Sequence, residues 1–494
     1  MTLLAGAGEL SGSGSPAWAG DPDPAGLSGK RPSFAVVIAD QKLLDRYREI
    51  RRQTFCNEQA MFATDDADQM DQHPDTVSLV AVDPTGEVLG GVRVAREPSD
   101  ATGAWWRGSR LALDPKHRGK SGVAASLVRA ACSYVVKQGA LRLDATVQLR
   151  AYRFFCQLGW EKVGEQEISG VPHLCMRWPI DRFERLVSQT KGHLGDLVGK
   201  LVPGGAQYVG DDAAPVPESD LLAATDAILA SMVAKDPIWA GWCSVLVNMN
   251  DLAAMGASPL ALLDSLGAPD TGMAAAVLDG MGAAARAWGV PIIGGHTQIG
   301  VPPSLSVTAL GRAGEPITSG GGRPGHAVRL TADLWGCWRA GYGCSQWDST
   351  SGRSPADLAQ LMKSVATTRP AAAKDVGMAG IVGTLAALAE ASGCGAELDL
   401  AKITPPDGAR LADWLTCFPG FAMLSTDSTE KDTPPPLPPG AVSERCGRLV
   451  EGRGVRLLWP DGTTTTAVLG AATGLGPAQR SVPGGAGDRQ SPPL

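Results

Sequence analysis

Five aspartates stand in places where such side chains are costly. "VGDDAAPV" (209–216) sets Asp211 and Asp212 after a glycine, and "AATD" (223–226) ends in Asp226 among apolar residues. "NMNDLAAMGASP" (248–259) puts Asp251 inside an alanine and methionine run, and "AAAKDVGMAG" (371–380) supplies Asp375 beside Lys374. A lone buried carboxylate costs several kcal/mol, roughly, unless it is paired or bound to a metal. Carboxylates gathered from apolar segments suit a hard cation such as Mg²⁺, which takes oxygen ligands and keeps substrate phosphates among them. Taken singly, each also reads as a turn or a cap. Asn248 and Asp251 lie three apart and share a face of a helix over 240–256. Asp211 and Asp212 are neighbours, so both reach one site only if their strand ends or bends there.

A second set is basic. "RLALDPKHRGKSGVAASLVRAACSYVVKQGA" (110–140) reads as strand, loop and helix. Ser121 suits the helix start and Gly139 its end. Leu127, Val128, Ala131, Tyr134 and Val135 form the apolar stripe. His117, Arg118 and Lys120 precede the helix, and Gly119 and Gly122 let the backbone approach a ligand closely. Free N–H groups at a helix start beside cations suit a phosphate or pyrophosphate, although a solvated basic loop has the same composition. Glu58, in "TFCNEQAMF" (54–62), reads either as a base for an attacking amine or as a surface glutamate.

These residues need elements to hold them. The 494 residues suggest two to four domains at roughly 100–200 residues each. Residues 34–181 alternate strand-like pieces with helices. Residues 197–430 are rich in alanine and glycine, with helical patterns at 218–233, 240–256, 271–288 and 371–392 and the strands PIIGG and SLSVTALG between them. The class is therefore α/β and α+β. Residues 182–196 read as a linker. Residues 1–33 and 469–494, rich in glycine, serine and proline, read as a disordered arm and tail. "DTPPPLPPG" (432–440) reads as a stiff connector before two or three short strands.

The net charge of −7 and the lack of a dense Lys/Arg run argue against a nucleic-acid or anionic-membrane surface. The ten cysteines are scattered singly, without zinc spacing, as in reduced thiols. No run of about 18 apolar residues predicts a membrane span, and the start lacks the form of a signal peptide. A cytoplasmic location is expected.

Together with "AYRFFCQLGW" (151–160), the basic loop resembles the GNAT acyltransferase family over 34–181. There an R-G-x-G-x-G/A loop holds the pyrophosphate of acetyl-CoA, and an A-x-x-F-Y-x-x-L-G-F stretch packs beside the thioester. The resemblance implies that Leu111, Leu113, Arg118, Gly119, Lys120, Ser121, Gly122 and Ala124 hold acetyl-CoA or another acyl-CoA. Two departures matter. The loop is one residue longer, and Phe155 stands where a general-acid tyrosine is usual. Tyr152, one turn earlier, is then the substitute acid and Glu58 the base.

The aspartate stretches, in their order and with "IIGGHTQ" (292–298), are similar to the PurM-like superfamily over 197–468. That group includes AIR synthase, thiamine-monophosphate kinase, selenophosphate synthetase and HypE. The resemblance implies two subdomains, 197–313 and 314–468, and an Mg²⁺–ATP site. Asp211, Asp212, Asp226 and Asp251 would hold metal. Asn248, Gly294, Gly295, His296, Thr297 and Asp375 would shape the nucleotide or substrate pocket. It also implies a homodimer through the first subdomain. The departures are His296, where the thiamine kinase pattern has Asp and AIR synthase has Glu, and the missing D-x-S-D-G form near Asp375.

The whole chain resembles a fusion family known as AIR-synthase-related, whose genes occur beside a nitrilase. The expected function is a bifunctional small-molecule enzyme, joining acyl-CoA-dependent N-acyl transfer to Mg²⁺–ATP-dependent phosphoryl transfer or amide activation. The alternatives are an ATP-using enzyme with a CoA-sensing, non-catalytic GNAT domain, and a HypE-like maturation protein acting on a partner protein.

Overall fold

Runs of β-branched and apolar residues separated by glycine and aspartate turns become strands in the first half of the chain, while alanine-rich periodic segments become buried helices in the second. A computed structural model describes residues 34–119, 122–168, 170–198, 201 and 208–478. The expected arm at 1–33 and tail residues 479–494 lie outside them. The chain divides into two compact units, Met1–Ile180 and Asp181–Leu494.

The first unit runs β1 (Ala35–Ile38), α1 (Gln41–Arg52), β2 (Val77–Val82), β3 (Val88–Arg96), β4 (Trp105–Leu113), α2 (Val123–Lys137), β5 (Arg142–Gln148), α3 (Tyr152–Gln157), β6 (Glu161–Ile168) and β7 (Val171–Trp178). Its sheet has the order β1-β2-β3-β4-β5-β7-β6. Helix α2 lays Leu127, Val128, Ala131 and Val135 on one face, where they meet Val92, Val94, Leu143 and Ala145. Gly139, at φ 88°, allows the chain to leave the helix. Strands β4 and β5 run parallel but pair only from Trp105–Arg142 to Gly108–Ala145. Beyond Gly108 they separate.

The second unit opens with α4 (Arg182–Thr190), α5 (Leu194–Val198), β8 (Ala214–Pro215), β9 (Leu221–Ile228), α6 (Ala230–Lys235), α7 (Pro237–Ala254), β10 (Ser258–Ala268), α8 (Thr271–Trp288), β11 (Ile292–Ile299) and β12 (Ser304–Arg312). It continues with β13 (Ala327–Asp333), β14 (Cys337–Trp338), β15 (Gln346–Asp348), α9 (Pro355–Met362), α10 (Ser364–Thr368), β16 (Ala372–Asp375), α11 (Gly380–Ala391), β17 (Gly395–Asp399), α12 (Leu411–Thr416), β18 (Phe418–Pro419), β19 (Ala422–Asp427), β20 (Ala441–Val450), β21 (Val455–Leu458) and β22 (Thr464–Val468). Its two main sheets have the orders β11-β10-β12-β9-β8 and β16-β19-β13-β20-β17-β21-β22. Helix α7 packs against both, and every residue from Trp239 to Ala254 is buried. A helix apolar all round belongs in a core.

Three expectations are corrected. The pattern at 218–233 is mostly strand: Leu221–Ile228 pairs antiparallel with Leu305–Arg312, and only Ala230–Lys235 is helical. Leucine and alanine favour helix locally, but sheet pairing outweighs that preference. Likewise 371–392 splits into β16 and α11, with Gly380 at φ 67° between them. The linker at 182–196 is instead part of the second unit. Phe183 and Val187, one helical turn apart, bury themselves, and α4 packs on β22 and α11. The described start of the tail is also held: the Glu390 carboxylate accepts N–H bonds from Thr473 at 2.7 Å and Gly476 at 3.0 Å.

Close approach of α7 and α8 depends on glycine. A Cβ on Gly280 would lie 1.9 Å from the Ile238 carbonyl oxygen, whereas one on Gly282 would meet only the Arg286 side chain, at 3.3 Å. Gly→Ala in a helix gains about 1 kcal/mol from propensity, but forced overpacking costs about 1–3 kcal/mol. Gly280→Ala is expected to lower the urea midpoint of the second unit, and Gly282→Ala to leave it unchanged or raise it.

Candidate functional site

The second unit gathers its carboxylates around α7. The chain bends after Gly210, whose φ is 86°, and sends Asp211 and Asp212 in different directions. Asp212 Oδ2 accepts the backbone N–H of Asp375 at 3.1 Å, and its other oxygen takes Lys374 Nζ. Lys374 also donates to the Gly210 carbonyl, at 3.0 Å. Carboxylate oxygens of Asp212, Asp251 and Asp375 all lie within 4.8 Å of one another. Asp226, on β9, is near enough to Asp251 to help raise its pKa.

This charge is poorly solvated. Asp251 is 7% exposed and Asp375 8%. Burial, then the neighbouring Asp375, Asp226 and Asp212, hold the Asp251 carboxyl well above the ordinary carboxylate range. Burial and Asp212 do the same to Asp375, against the pull of Lys374. Burial alone would lower the Lys374 pKa, but Asp212 and Asp375 outweigh it and raise it. Lys374, and more weakly Lys191, are the lysines that offset this charge. Such a set of hard oxygen donors, short of positive charge, fits a divalent cation such as Mg²⁺.

Asp211 does not join the group. Its Oδ1 accepts Ser319 N–H at 2.7 Å and the Ser319 hydroxyl, and its Oδ2 is buried without a partner. Asp375, expected in the pocket, sits among the candidate ligands instead. Asn248 is fully buried. Its amide donates to the Ser244 carbonyl at 2.9 Å, leaving Oδ1 unpartnered. Gly294, Gly295, His296 and Thr297 lie on β11, the exposed edge of their sheet. Asp226, Val307, Asp264 and Gly295 form one cross-strand row. Three strand spacings, about 14 Å, therefore separate Gly295 from Asp226. Within one chain the strand does not reach the carboxylates. Gly295 has another local reason: a Cβ there would lie 2.0 Å from the Asp264 carboxylate.

In the first unit the separation of β4 and β5 opens a cavity of about 400 Å³. It is lined from both sides of the sheet, by Val128 and Ala131 of α2 on one and by Phe55, Phe62 and Arg93 on the other. The far wall is pinned by ions. Buried Arg51 bonds Asp66 at 2.8 Å and Asp71 at 2.6 Å, and buried Arg93 bonds Asp68 at 2.6 Å and Asp71 at 2.7 Å. Arg110 joins Asp66 and Asp68, each at 2.9 Å. Helix α2 starts at Gly122, φ 101°, with no side-chain cap, so its first N–H groups stay available. A Cβ on Gly119 or Gly122 would meet nothing within 4 Å. This opening beside a bare helix start fits a pyrophosphate.

Other expected residues are placed differently. Leu111 lines the cavity, while Leu113 packs on the core. Ala124 lies in the first turn of α2. Lys120 and Ser121 lie outside the described residues. Arg118 is held by Glu58 at 2.6 Å and by Thr54 at 3.2 Å, so Glu58 is an ion-pair partner and not a base in the cavity. Tyr152, expected as the substitute acid, is 39% exposed and lies outside the residues that line the cavity. Phe155 is buried edge-on against Trp160 at 5.3 Å. Two features escaped the sequence reading. The aspartates of "ATDDADQMDQ" (63–72) bond distant arginines, which no local spacing reveals. His173, a single polar ring in the strand "VPHLCMRW", lines the cavity.

Family models described as AIR synthase related protein, N-terminal and C-terminal domains, match residues 210–313 and 351–452. A model of the acetyltransferase (GNAT) family matches residues 44–160. An uncharacterised protein of Synechocystis is 39% identical over 230 residues, covering 45% of this chain and 70% of that one. A thiamine-monophosphate kinase of Halobacterium salinarum is 31% identical over 223 residues, covering 43% and 74%. A crystal structure of thiamine monophosphate kinase from Aquifex aeolicus is similar at 19% identity and TM-score 0.41, covering 55% and 96%. No helix of the described residues is long and apolar enough to cross a membrane.

The carboxylate cluster has a pH signature. Asp251 and Asp375 have raised pKa values in the folded chain, so the native state holds their protons more tightly than the unfolded one. That stabilisation is full below the ordinary carboxylate value, about 4, and is lost as pH rises through the raised values. In EDTA the unfolding temperature of the second unit is expected to fall as pH rises from mildly acidic to neutral. Millimolar Mg²⁺ should restore it, and Asp251→Asn should flatten the pH dependence.

Proposed function

We propose that this chain, which belongs to the AIR synthase related family and carries a GNAT-family acetyltransferase domain ahead of that module, is a bifunctional small-molecule transferase. The first unit moves an acyl group from acetyl-CoA or another acyl-CoA to an amine. The second uses Mg²⁺–ATP to phosphorylate a substrate or to activate an amide. The observation that carries the reading is the convergence of Asp212, Asp226, Asp251 and Asp375, with Asp251 and Asp375 buried and Lys374 bonded to Asp212. Bound metal would supply charge stabilisation to the phosphates. The chain's part is to hold these oxygens close, dry and charged, and to keep Lys374 within reach of Asp212. The similarity to a thiamine-monophosphate kinase supports ATP as the phosphoryl donor.

In the first unit, the open glycine loop and the bare start of α2 support CoA binding. Arg118 would exchange Glu58 for a phosphate oxygen. Phe155 favours a second reading, in which this unit senses acyl-CoA without turnover. Product analysis with labelled acetyl-CoA separates the two.

Asp251→Asn removes one ligand charge from a site that the fold already desolvates. It is expected to weaken ATP binding in calorimetry by at least tenfold with Mg²⁺ present, about 1.4 kcal/mol, with the helix content unchanged. Equal affinity for wild type and variant rejects the ATP assignment.

Homodimerisation belongs to the same proposal. All eight residues of β11 are exposed, with Ile293 at 60%, and the strand lies at a sheet edge. An apolar, unpaired edge invites pairing with another copy, and that copy would bring Gly294–Thr297 toward a nucleotide site. By light scattering, a fragment of residues 181–494 is expected at twice its chain mass and a fragment of residues 34–180 at its own. A monomeric 181–494 fragment that binds ATP rejects the dimer.

A further inference from the structure

We propose that His173 is the general base that activates the acyl acceptor in the first unit, a role that rests on reading this unit as an acyl-CoA-dependent acyltransferase. The ring is 4% exposed and lines the cavity between β4 and β5. Its Nδ1 lies 2.8 Å from the Val171 carbonyl oxygen. A carbonyl only accepts, so Nδ1 carries the hydrogen and Nε2 of the neutral ring keeps a lone pair. Nε2 has no hydrogen-bond partner among the described residues.

Cross-strand pairing fixes which side of the sheet the ring faces. His173 stands opposite Gln148 of β5 and Gln166 of β6. The alternate residues Ala145, Val147, Leu174 and Met176 pack in the core beneath α2. The imidazole therefore faces away from α2, toward the wall formed by Phe55, Gln59 and Phe62, where an acceptor meets a thioester held at the splay. Both flanking glutamine amides are engaged, Gln148 with Gln59 at 2.7 Å and Gln166 with Thr146 at 2.9 Å. The other titratable or charged groups lining the cavity are Asp68, Arg93, Arg107, Arg110 and Arg150, and Cys175 follows two residues along β7. Burial works to raise the Asp68 carboxyl, but Arg93 and Arg110 outweigh it and hold it below its ordinary range, so it is a poor base. Arginines stay protonated. Glu58 is taken by Arg118 and Tyr152 lies outside the cavity lining. His173 is the base that remains among the described residues of this wall.

The step balances simply. The amine nitrogen attacks the thioester carbon, and Nε2 removes one N–H proton as the C–N bond forms. Collapse breaks the C–S bond. The departing thiolate takes a proton and the imidazolium loses its own, so amine and thioester give amide and thiol. Because the proton taken up by the imidazole can return to the thiolate, the step balances without a hydroxyl at Phe155.

The test is thiol release from acetyl-CoA by the full-length protein, with water alone and with the free amino acids, spermidine and glucosamine as probes. Acetyl-CoA binding is followed by thermal shift on the same samples. Wild type is expected to release thiol with at least one probe. His173→Gln should lower kcat about 100-fold or more and keep its stabilisation by acetyl-CoA. His173→Ala should regain turnover when imidazole is added. A glutamine variant within about threefold of wild type, or a wild type that binds acetyl-CoA and releases no thiol with any probe, overturns the role. A wild type that does not bind acetyl-CoA overturns the acyltransferase reading itself, and the base with it.

Discussion

Carboxylates held out of water are the constraint on which the second unit is built. Asp251 lies on a helix buried along sixteen consecutive residues, Trp239 to Ala254, and three further aspartates converge on it from β9, the turn after Gly210 and β16. Packing this tight needs glycine and alanine where α7 meets its neighbours. The lysine bonded to Asp212 comes from β16. Hydrophobic burial therefore positions the polar centre, and the polar centre is costly without a cation.

The first unit meets a different constraint. A sheet that opens between two strands leaves backbone groups unpaired and a gap through its middle. Helix α2 closes one side of that gap with apolar side chains. On the other side, six charged residues bind the 61–76 segment against the sheet, with Arg51 and Arg93 almost wholly buried. Breaking one partner of such a network strands a buried charge, at a cost of about 3–5 kcal/mol. The network anchors the wall of the cavity opposite α2, the side that His173 faces.

Much of this was legible in the sequence because local chemistry repeats along it. The apolar stripe of α2, the strand pieces at 77–82 and 88–96, and the helices at 237–254 and 271–288 follow their periodicity. The glycines at 119 and 122 mark the loop. The aspartates stood out because their apolar surroundings demanded a reason. What failed was non-local. Leu221–Ile228 looks helical until β12 pairs with it, and Phe183 and Val187 look like connector residues until β22 covers them. Asp211 and Asp212 are equivalent in sequence, but distant Ser319 holds one and distant Lys374 the other. Glu58 looks like a base until Arg118 folds onto it. His173 has no spacing partner, since its neighbours Gln148 and Gln166 come from other strands.

The central claim is that the four aspartates form a divalent-cation site for a nucleotide. Crystals of the protein soaked with Mn²⁺ and a non-hydrolysable ATP analogue test it most directly, through the anomalous signal of the metal. The account predicts a peak bonded to oxygens of Asp212, Asp251 and Asp375, with analogue phosphates completing the shell. Ordered analogue elsewhere, with no metal peak at the carboxylates and Lys374 still seated on Asp212, would contradict it.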